Sequence, residues 1–440
     1  MTVSPSIAVI GAGYVGLIQA VGLAKQGHSV VCIDVSAERI NQLQAGVPPI
    51  YEEGLEELLG EVIDAGRISF SLDVNSAAGC DAFFVAVGTP TEEKTGNANL
   101  GYLYTAVDDI SQIARKGAVL VVKSTVPIGT CERLQIRLDE RVPEKNLSVV
   151  SNPEFLREGR AIQDFFQPER IVLGGADVAA LNKVREIYSA FDKDKVPFLI
   201  SDWFSSETIK YAANAFLAMK VTFINEIANL TQTVGGDIEI VSKGIGLDSR
   251  IGEQFLNVGP GYGGSCFPKD TLALATMARR HGVQQQILEA VIAVNDNRRY
   301  MILRRVEDIL DQKLRGRRVA VLGIAFKANT DDVRDSSAVS IIHTLLDEGA
   351  VVRAYDPMAK YETSDPNYQQ SSSVEEAMDG ADLTLIVTEW DEFKNYDYNS
   401  QLASVGQAKI LDLRLSLKSR QDELSDWDLN FIGINSLNNN

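Results

Sequence analysis

Short apolar runs alternate along this chain with stretches whose apolar positions recur every three or four residues. Ile7-Ala8-Val9-Ile10 is a run of strand length, and an amphipathic segment from Leu17 to Lys25 separates it from a second, Val30 to Ile33. Further runs lie at Asp81 to Val87, Ala118 to Lys123 and Leu147 to Val150, each ending in a polar or Gly/Pro-rich loop. Strands of this kind alternating with helical patterns predict an open parallel sheet in an α/β fold. From about Ser205 to Val234 the spacing is helical throughout, via Ile209, Ala213, Phe216, Leu217, Val221, Ile224, Ile227 and Leu230. A second helical region is expected from about Thr271 to Leu314. At Gly316 the first layout returns: a strand over Arg317 to Gly323, a helix from about Ser337 to Glu348, a strand over Val351 to Tyr355, then runs at Leu383 to Thr388 and Lys409 to Leu413. The pattern therefore predicts two doubly wound α/β domains, 1–204 and 315–440, joined by a central helical domain, 205–314.

The loop after the first run is Gly11-Ala12-Gly13-Tyr14-Val15-Gly16, and the strand that follows the helix ends at Asp34. Here the GxGxxG pattern has its full strand–turn–helix–strand context, which makes the first domain Rossmann-like. Gly11 permits the turn, Gly13 lets backbone approach a pyrophosphate, and Gly16 allows close helix–strand packing. Asp34 would accept hydrogen bonds from ribose hydroxyls and repel a 2′-phosphate, so the cofactor expected is NAD rather than NADP. Arg39 is read as an adenosine-side contact. The second doubly wound domain lacks the glycines. Its longer loop, Ala325 to Arg334, predicts a different ligand, for which Lys327 and Arg334 would suit phosphates; a solvated loop fits that composition as well.

Composition narrows the classes. The chain has 440 residues, 42 Lys+Arg against 60 Asp+Glu and a net charge of −18, which argues against binding nucleic acid or an anionic membrane. No apolar run approaches the ~20 residues of a membrane span, and no signal peptide is visible, so a cytoplasmic protein is expected. Cys32, Cys80, Cys131 and Cys266 form no CxxC pair and no metal-ligand spacing. Cys32, inside an apolar run, reads as buried filler.

Cys266 stands apart. It lies in Gly259-Pro260-Gly261-Tyr262-Gly263-Gly264-Ser265-Cys266-Phe267-Pro268-Lys269-Asp270, a run too rich in glycine and proline for a helix or a central strand. It is expected to be a shaped loop presenting a thiol, with Lys269 more suited to a structural part. Lys210 and Asn214, four apart on the expected long helix, share one face. Spacing alone favours a solvated Lys–Asn face, whereas with a nearby electrophile the pair would stabilise an oxyanion. The loops after the first-domain strands, Gly88-Thr89-Pro90, Ser124-Thr125-Val126-Pro127 and Ser151 to Gly159, belong at the ligand-binding edge of a parallel sheet, which makes Glu154 a candidate for chemistry.

Taken together these motifs resemble the UDP-glucose/GDP-mannose dehydrogenase family over almost the whole chain. The residues carrying the likeness are Gly11 to Gly16 with Asp34, Gly88-Thr89-Pro90, Ser124 to Pro127, Asn152-Pro153-Glu154-Phe155-Leu156-Arg157-Glu158-Gly159, Lys210 with Asn214, the Cys266 loop, and Phe326-Lys327 with Arg334. Asp248-Ser249-Arg250-Ile251-Gly252, Phe255-Leu256 and the loop itself look like the UDP-glucose branch. The resemblance implies a cytoplasmic oxidoreductase that takes UDP-glucose to UDP-glucuronate, a precursor for polysaccharide biosynthesis, with two NAD⁺ per turnover. Cys266 would carry a thiohemiacetal and then a thioester. Lys210 and Asn214 would stabilise the oxyanion, Lys210 and Asp270 would assist proton removal, Glu154 or Asp270 would activate the hydrolytic water, and Thr125 would position it. Tyr14, Val15, Thr89, Glu158 and Arg334 would join the glycines, Asp34, Arg39, Thr125 and Cys266 around the cofactor. Glu154, Phe155, Leu156, Arg157, Lys210, Asn214, Tyr262, Gly263, Phe326 and Lys327 would line the nucleotide-sugar pocket, and Arg250 would reach it from a partner subunit of a homodimer or larger homo-oligomer. No metal is implied. The alternatives are a sister enzyme acting on GDP-mannose or a UDP-N-acetylhexosamine, and a non-catalytic NAD or nucleotide-sugar sensor.

Overall fold

Among the described residues, fourteen strands form two sheets. A computed structural model of the chain describes residues 5–92, 96, 98–311 and 314–434. The chain divides into two compact units, residues 1–213 with 276–282, and residues 214–275 with 283–440.

The first unit holds β1 Ser6–Ile10, β2 Ser29–Ile33, β3 Ile68–Ser71, β4 Ala82–Val85, β5 Val119–Val122, β6 Ser148–Ser151, β7 Ile171–Gly174 and β8 Phe198–Ser201. Their order in the sheet is β3-β2-β1-β4-β5-β6-β7-β8. The first six are parallel. β7 pairs antiparallel to β6, through Ser151 and Gly174, and carries β8 parallel beside it. β4 and β5 are buried at every position, as expected of central parallel strands covered on both faces. Alternation sorts the core: Ile7 and Val9 pack on one face, Ala8 and Ile10 on the other.

The second unit repeats the plan with β9 Arg318–Leu322, β10 Val351–Tyr355, β11 Tyr368–Gln370, β12 Leu383–Ile386, β13 Lys409–Asp412 and β14 Asp428–Phe431. This sheet is wholly parallel and ordered β11-β10-β9-β12-β13-β14, the same 3-2-1-4-5-6 order as the first six strands. Val319 and Val321 face one core, Ala320 and Leu322 the other.

Helices separate the sheets in sequence. Trp203–Val234 is one helix of 32 residues, beginning in the first unit and ending in the second. The second helical region, read from sequence as continuous to Leu314, is two helices, Phe267–Arg280 and Gln286–Ile309. Gly282, at φ +71, ends the first in a conformation that favours glycine. Ile238–Gly246 is a further helix, capped by the Asp237 side chain. The strands β3, β7, β8, β11 and β14 lie outside the expected runs. β14 falls beyond Trp427, in a tail that offered no functional signal, and completes the second sheet.

Candidate active site

The cofactor turn follows β1, at the point where strand order reverses between β1 and β4. Gly11 has φ +100, and a Cβ there would lie 2.6 Å from the Ala86 carbonyl oxygen; one on Gly16 would lie 1.8 Å from the Gly11 carbonyl oxygen. Around Gly13, by contrast, nothing lies within 4 Å of a Cβ position. Gly11 and Gly16 are thus glycine because the protein fills the space, and Gly13 keeps open the space in front of the next helix. That helix, Tyr14–Lys25, starts with Gly13 at its N-cap, with no side chain capping it and no acid in its first turn, so its N–H groups suit a phosphate. Asp34, just past β2, is buried; it accepts from the Ala12 N–H at 2.7 Å and the Ser36 N–H at 2.9 Å and pairs with Arg39 at 2.9 Å. An open glycine cradle, an uncapped helix start and a carboxylate at the neighbouring strand end fit a dinucleotide with an unphosphorylated ribose.

Loops after β4, β5 and β6 converge on the same edge. The Thr89 hydroxyl donates to the Thr125 carbonyl at 2.9 Å, joining the first two. After β6, Asn152 donates to the Val172 carbonyl at 2.8 Å and accepts from Tyr188 at 2.8 Å and Lys123 at 3.2 Å. This fixes the start of the loop that presents Glu154. One oxygen of Glu154 pairs with the Lys210 ammonium at 2.8 Å, and the other accepts from the Leu156 N–H at 2.6 Å. The side chains of Glu154 and Lys210 are only 7% and 4% exposed. Burial pushes the Glu154 carboxyl up, but Lys210, the Leu156 N–H and Lys123 together outweigh it and hold the group below its ordinary value. Spacing alone favoured a solvated place for Lys210; the Glu154 carboxylate is what makes its burial tolerable. The Phe155 ring lies under Arg170, 3.8 Å away, and Arg157 is gripped by Asp164 through two hydrogen bonds.

Farther along that loop Glu158 lies close enough to act electrostatically on Tyr14. A residue absent from the sequence reading ties this region together. Glu52 is buried and accepts from the Tyr14 hydroxyl, from the Gly159 N–H at 2.8 Å and from the Ala161 N–H at 2.6 Å. It fastens the first turn of the cofactor helix to the end of the Glu154 loop. Burial, then the hydrogen bond and charge of Glu52, push the Tyr14 phenol well above its usual range. In sequence Glu52 is indistinguishable from its exposed neighbour Glu53.

In the second unit the Cys266 loop is held at three points. Asn225 accepts from the Gly259 N–H at 2.9 Å, Arg298 donates to the Gly259 carbonyl at 3.1 Å, and Asn295 accepts from the Tyr262 N–H at 2.9 Å. Gly264, at φ +84, brings its Cα so near Phe326 that a Cβ would meet the ring at 2.8 Å; at Gly263 it would meet the Asp335 carbonyl at 2.4 Å. These glycines therefore close on the chain's own 326–335 loop. A correction concerns the loop's end. Phe267 to Asp270 is the first turn of a helix, because proline is tolerated there, and the Cys266 carbonyl accepts from the Asp270 N–H at 2.9 Å. Cys266, half-buried, thus sits at a helix N-terminus, where the helix dipole favours an anion.

Asp270 is 1% exposed and accepts from the Asn214 amide at 2.6 Å and from Lys269 at 2.6 Å. Asn214, like Lys210, is buried rather than solvated. The expected phosphate-side residues are more open. Lys327 lies 5.4 Å from the Phe326 ring centre, Arg334 pairs with Asp332, and Arg250 pairs with Asp248 on the surface. Asp356, the counterpart of Asp34 at the end of β10, accepts from the N–H groups of Ile324, Ala325, Met358 and Ala359 and from the Trp390 indole. Those five donors saturate it, so the second doubly wound sheet has no equivalent ribose acceptor.

Comparison with known proteins covers nearly all of this. Residues 5–192 match the family model for the UDP-glucose/GDP-mannose dehydrogenase NAD binding domain, 204–297 its central domain and 320–419 its UDP binding domain. A UDP-glucose 6-dehydrogenase of Rhizobium meliloti is 43% identical over 97% of this chain and 99% of its own. The solved structure of a UDP-glucose dehydrogenase from Pyrobaculum islandicum superposes with a TM-score of 0.87 at 39% identity, covering 97% of each chain. That of a UDP-D-ManNAc dehydrogenase from Pyrococcus horikoshii gives 0.86 at 25% identity, covering 97% of this chain and 99% of its own.

Proposed function

The chain belongs to the UDP-glucose/GDP-mannose dehydrogenase family, and on that premise we propose that it is an NAD-dependent enzyme oxidising the C6 alcohol of UDP-glucose to the carboxylate of UDP-glucuronate. The observation that carries the reading is Cys266, presented at the N-terminus of the helix whose first turn holds Asp270, itself buried and bonded to Asn214 and Lys269. A dehydrogenase that stops at the aldehyde has no use for a nucleophilic thiol, whereas a four-electron oxidation does. The choice of glucose rests on the relatives named above, since the fold is shared with an enzyme of another sugar.

Bound NAD supplies the hydride acceptor, twice per turnover. Glu154, held ionised, is the base for the C6 hydroxyl proton, and Lys210 offers its charge to the oxygen as that proton leaves. The Cys266 thiol releases its proton to solvent and its sulfur adds to the aldehyde carbon, opening the carbonyl double bond to form a C–S bond and an alkoxide that Lys210 and the Asn214 amide stabilise. Loss of the second hydride from that carbon leaves a thioester. Water, activated by Glu154 or Asp270 and positioned by Thr125, attacks the thioester; the C–S bond breaks, the carboxylate departs and the thiol is restored. One alcohol, one water and two NAD⁺ thus give one carboxylate, two NADH and three protons. Gly11 to Gly16, Asp34, Arg39, Thr89, Thr125, Glu158 and Arg334 are assigned to the cofactor. The loop Phe155-Leu156-Arg157 with Arg250, Tyr262, Gly263, Phe326 and Lys327 is assigned to the sugar nucleotide.

A homodimer completes the reading. Phe216, Phe223 and Leu230, seven residues apart and each at least half exposed, make an apolar stripe on the second-unit part of the long helix, which a second copy would cover. A monomer in size-exclusion chromatography with light scattering would remove that part. For the substrate, NADH production is compared across UDP-glucose, GDP-mannose and UDP-N-acetylmannosamine. UDP-glucose is expected to lead in kcat/KM; activity confined to another of the three would overturn the choice.

A further inference from the structure

The Glu154–Lys210 pair has another charged neighbour, which the reaction above leaves unused. Lys123 directly follows β5; the residue is 6% exposed, and its ammonium donates to Asn152 Oδ1 at 3.2 Å. The orientation of that amide is fixed by its other bonds, since Nδ2 donates to Val172 and the oxygen also accepts from Tyr188. The charged groups acting on Glu154 come from two elements: Lys210 on the long helix and Lys123 beside β5. The Leu156 N–H satisfies the second carboxylate oxygen. Arg170, just before β7, lies over the Phe155 ring, and Tyr188, after the helix Val178–Ile187, meets the cluster through Asn152. One buried carboxylate therefore stands among two buried ammoniums.

A lysine hydrogen-bonded to a neutral amide in a dry place is unfavourable as a cation; burial pushes Lys123 down to about 8, with Glu154 opposing and Lys210 adding to the fall. For stability alone, an apolar side chain would serve better there. We propose that Lys123 is a positioning residue acting through Glu154: when Lys210 turns its ammonium to the oxygen at C6 of the substrate, Lys123 remains as the cation that keeps the Glu154 carboxylate charged and able to take a proton. Without it, burial would drive the carboxyl toward its neutral form each time Lys210 was drawn away. The inference rests on Glu154 being the base of the proposed reaction.

The test compares the parent with Lys123→Met and Lys123→Arg, following NADH from UDP-glucose across pH and melting temperature alongside. The acid limb of kcat, which reports the substrate-bound state in which Lys210 has turned away, is expected to move up by about one pH unit in Lys123→Met, making it about tenfold slower than the parent, relative to their plateaus, on that limb. Lys123→Arg should restore the limb. Lys123→Met should melt no lower than the parent, because it removes a buried charge. An acid limb of kcat in Lys123→Met that coincides with the parent's, whatever the change in the plateau rate, overturns the proposal and leaves Lys123 a structural residue. A parent that makes no NADH from UDP-glucose overturns the functional reading itself, so the two failures are distinct.

Discussion

At the scale of single residues, what sets the candidate chemistry is which carboxylate each amine or amide meets. Lys210 and Asn214 lie four apart on one helix, yet Lys210 meets Glu154 and Asn214 meets Asp270. Sequence spacing places both on one face and is silent on either partner, since each carboxylate is 56 residues away. That is why a solvated face was the default reading. The thiol and the glycine fingerprint were legible because their local patterns are themselves constraints on backbone. Lys123 and Glu52 were not, because a buried charge and an exposed one look alike in a linear sequence. Cys266→Ser is expected to lower overall NADH production by about 10³-fold or more, since an alkoxide cannot be generated there as a thiolate can; steady-state NADH formation at the parent's rate would rule out the covalent route. The Glu154 carboxyl is held low in the fold, so its share of stability is present above its ordinary value and is lost as pH falls through its folded value.

At the scale of elements, loops do the positioning and buried polar residues hold the loops. Glu52 joins the cofactor helix to the Glu154 loop through one hydroxyl and two N–H groups. Glu52→Ala would leave the buried Ala161 N–H without this acceptor and the half-buried Tyr14 hydroxyl and Gly159 N–H with one partner fewer, at about 1–3 kcal/mol for each donor left unsatisfied. It should lower the melting temperature by several degrees and raise KM for NAD more than it lowers kcat. Glu52→Gln, which keeps an acceptor oxygen, should do less of both. Equal behaviour of the two variants in differential scanning fluorimetry and NAD kinetics would mean that Glu52 does not act through these bonds. The central strands β1, β2, β4, β5 and β6 were readable as apolar runs. β3, β8 and β11 were not, because partial exposure dilutes their apolar signal, and Tyr368–Gln370 has only three residues. The helix break near Gly282 was missed because helical spacing continues on both sides of it.

At the scale of the molecule, the first six strands of one sheet share their order with the six of the other, and the aspartate that follows the second strand has different partners in each. Asp34 sits beside an open glycine cradle, whereas Asp356 is saturated by five donors. The expectation is one NAD per chain, in the first unit. Isothermal titration calorimetry should return a stoichiometry of one, abolished in Gly13→Val, and two equivalents per chain would contradict the account of the second sheet. The alternation of strand and helix made both sheets legible, and the glycine motif showed which of them takes the dinucleotide. The saturation of Asp356 was not legible, since it depends on a turn and an indole that only the fold brings to it.

The central claim is a four-electron oxidation of UDP-glucose through Cys266. Its most direct test is the end point of a reaction with limiting UDP-glucose and excess NAD, with NADH counted by absorbance and the product identified by mass spectrometry. The account predicts two NADH for each UDP-glucose consumed and UDP-glucuronate as the product. One NADH per sugar, with an aldehyde released into solution, would contradict it.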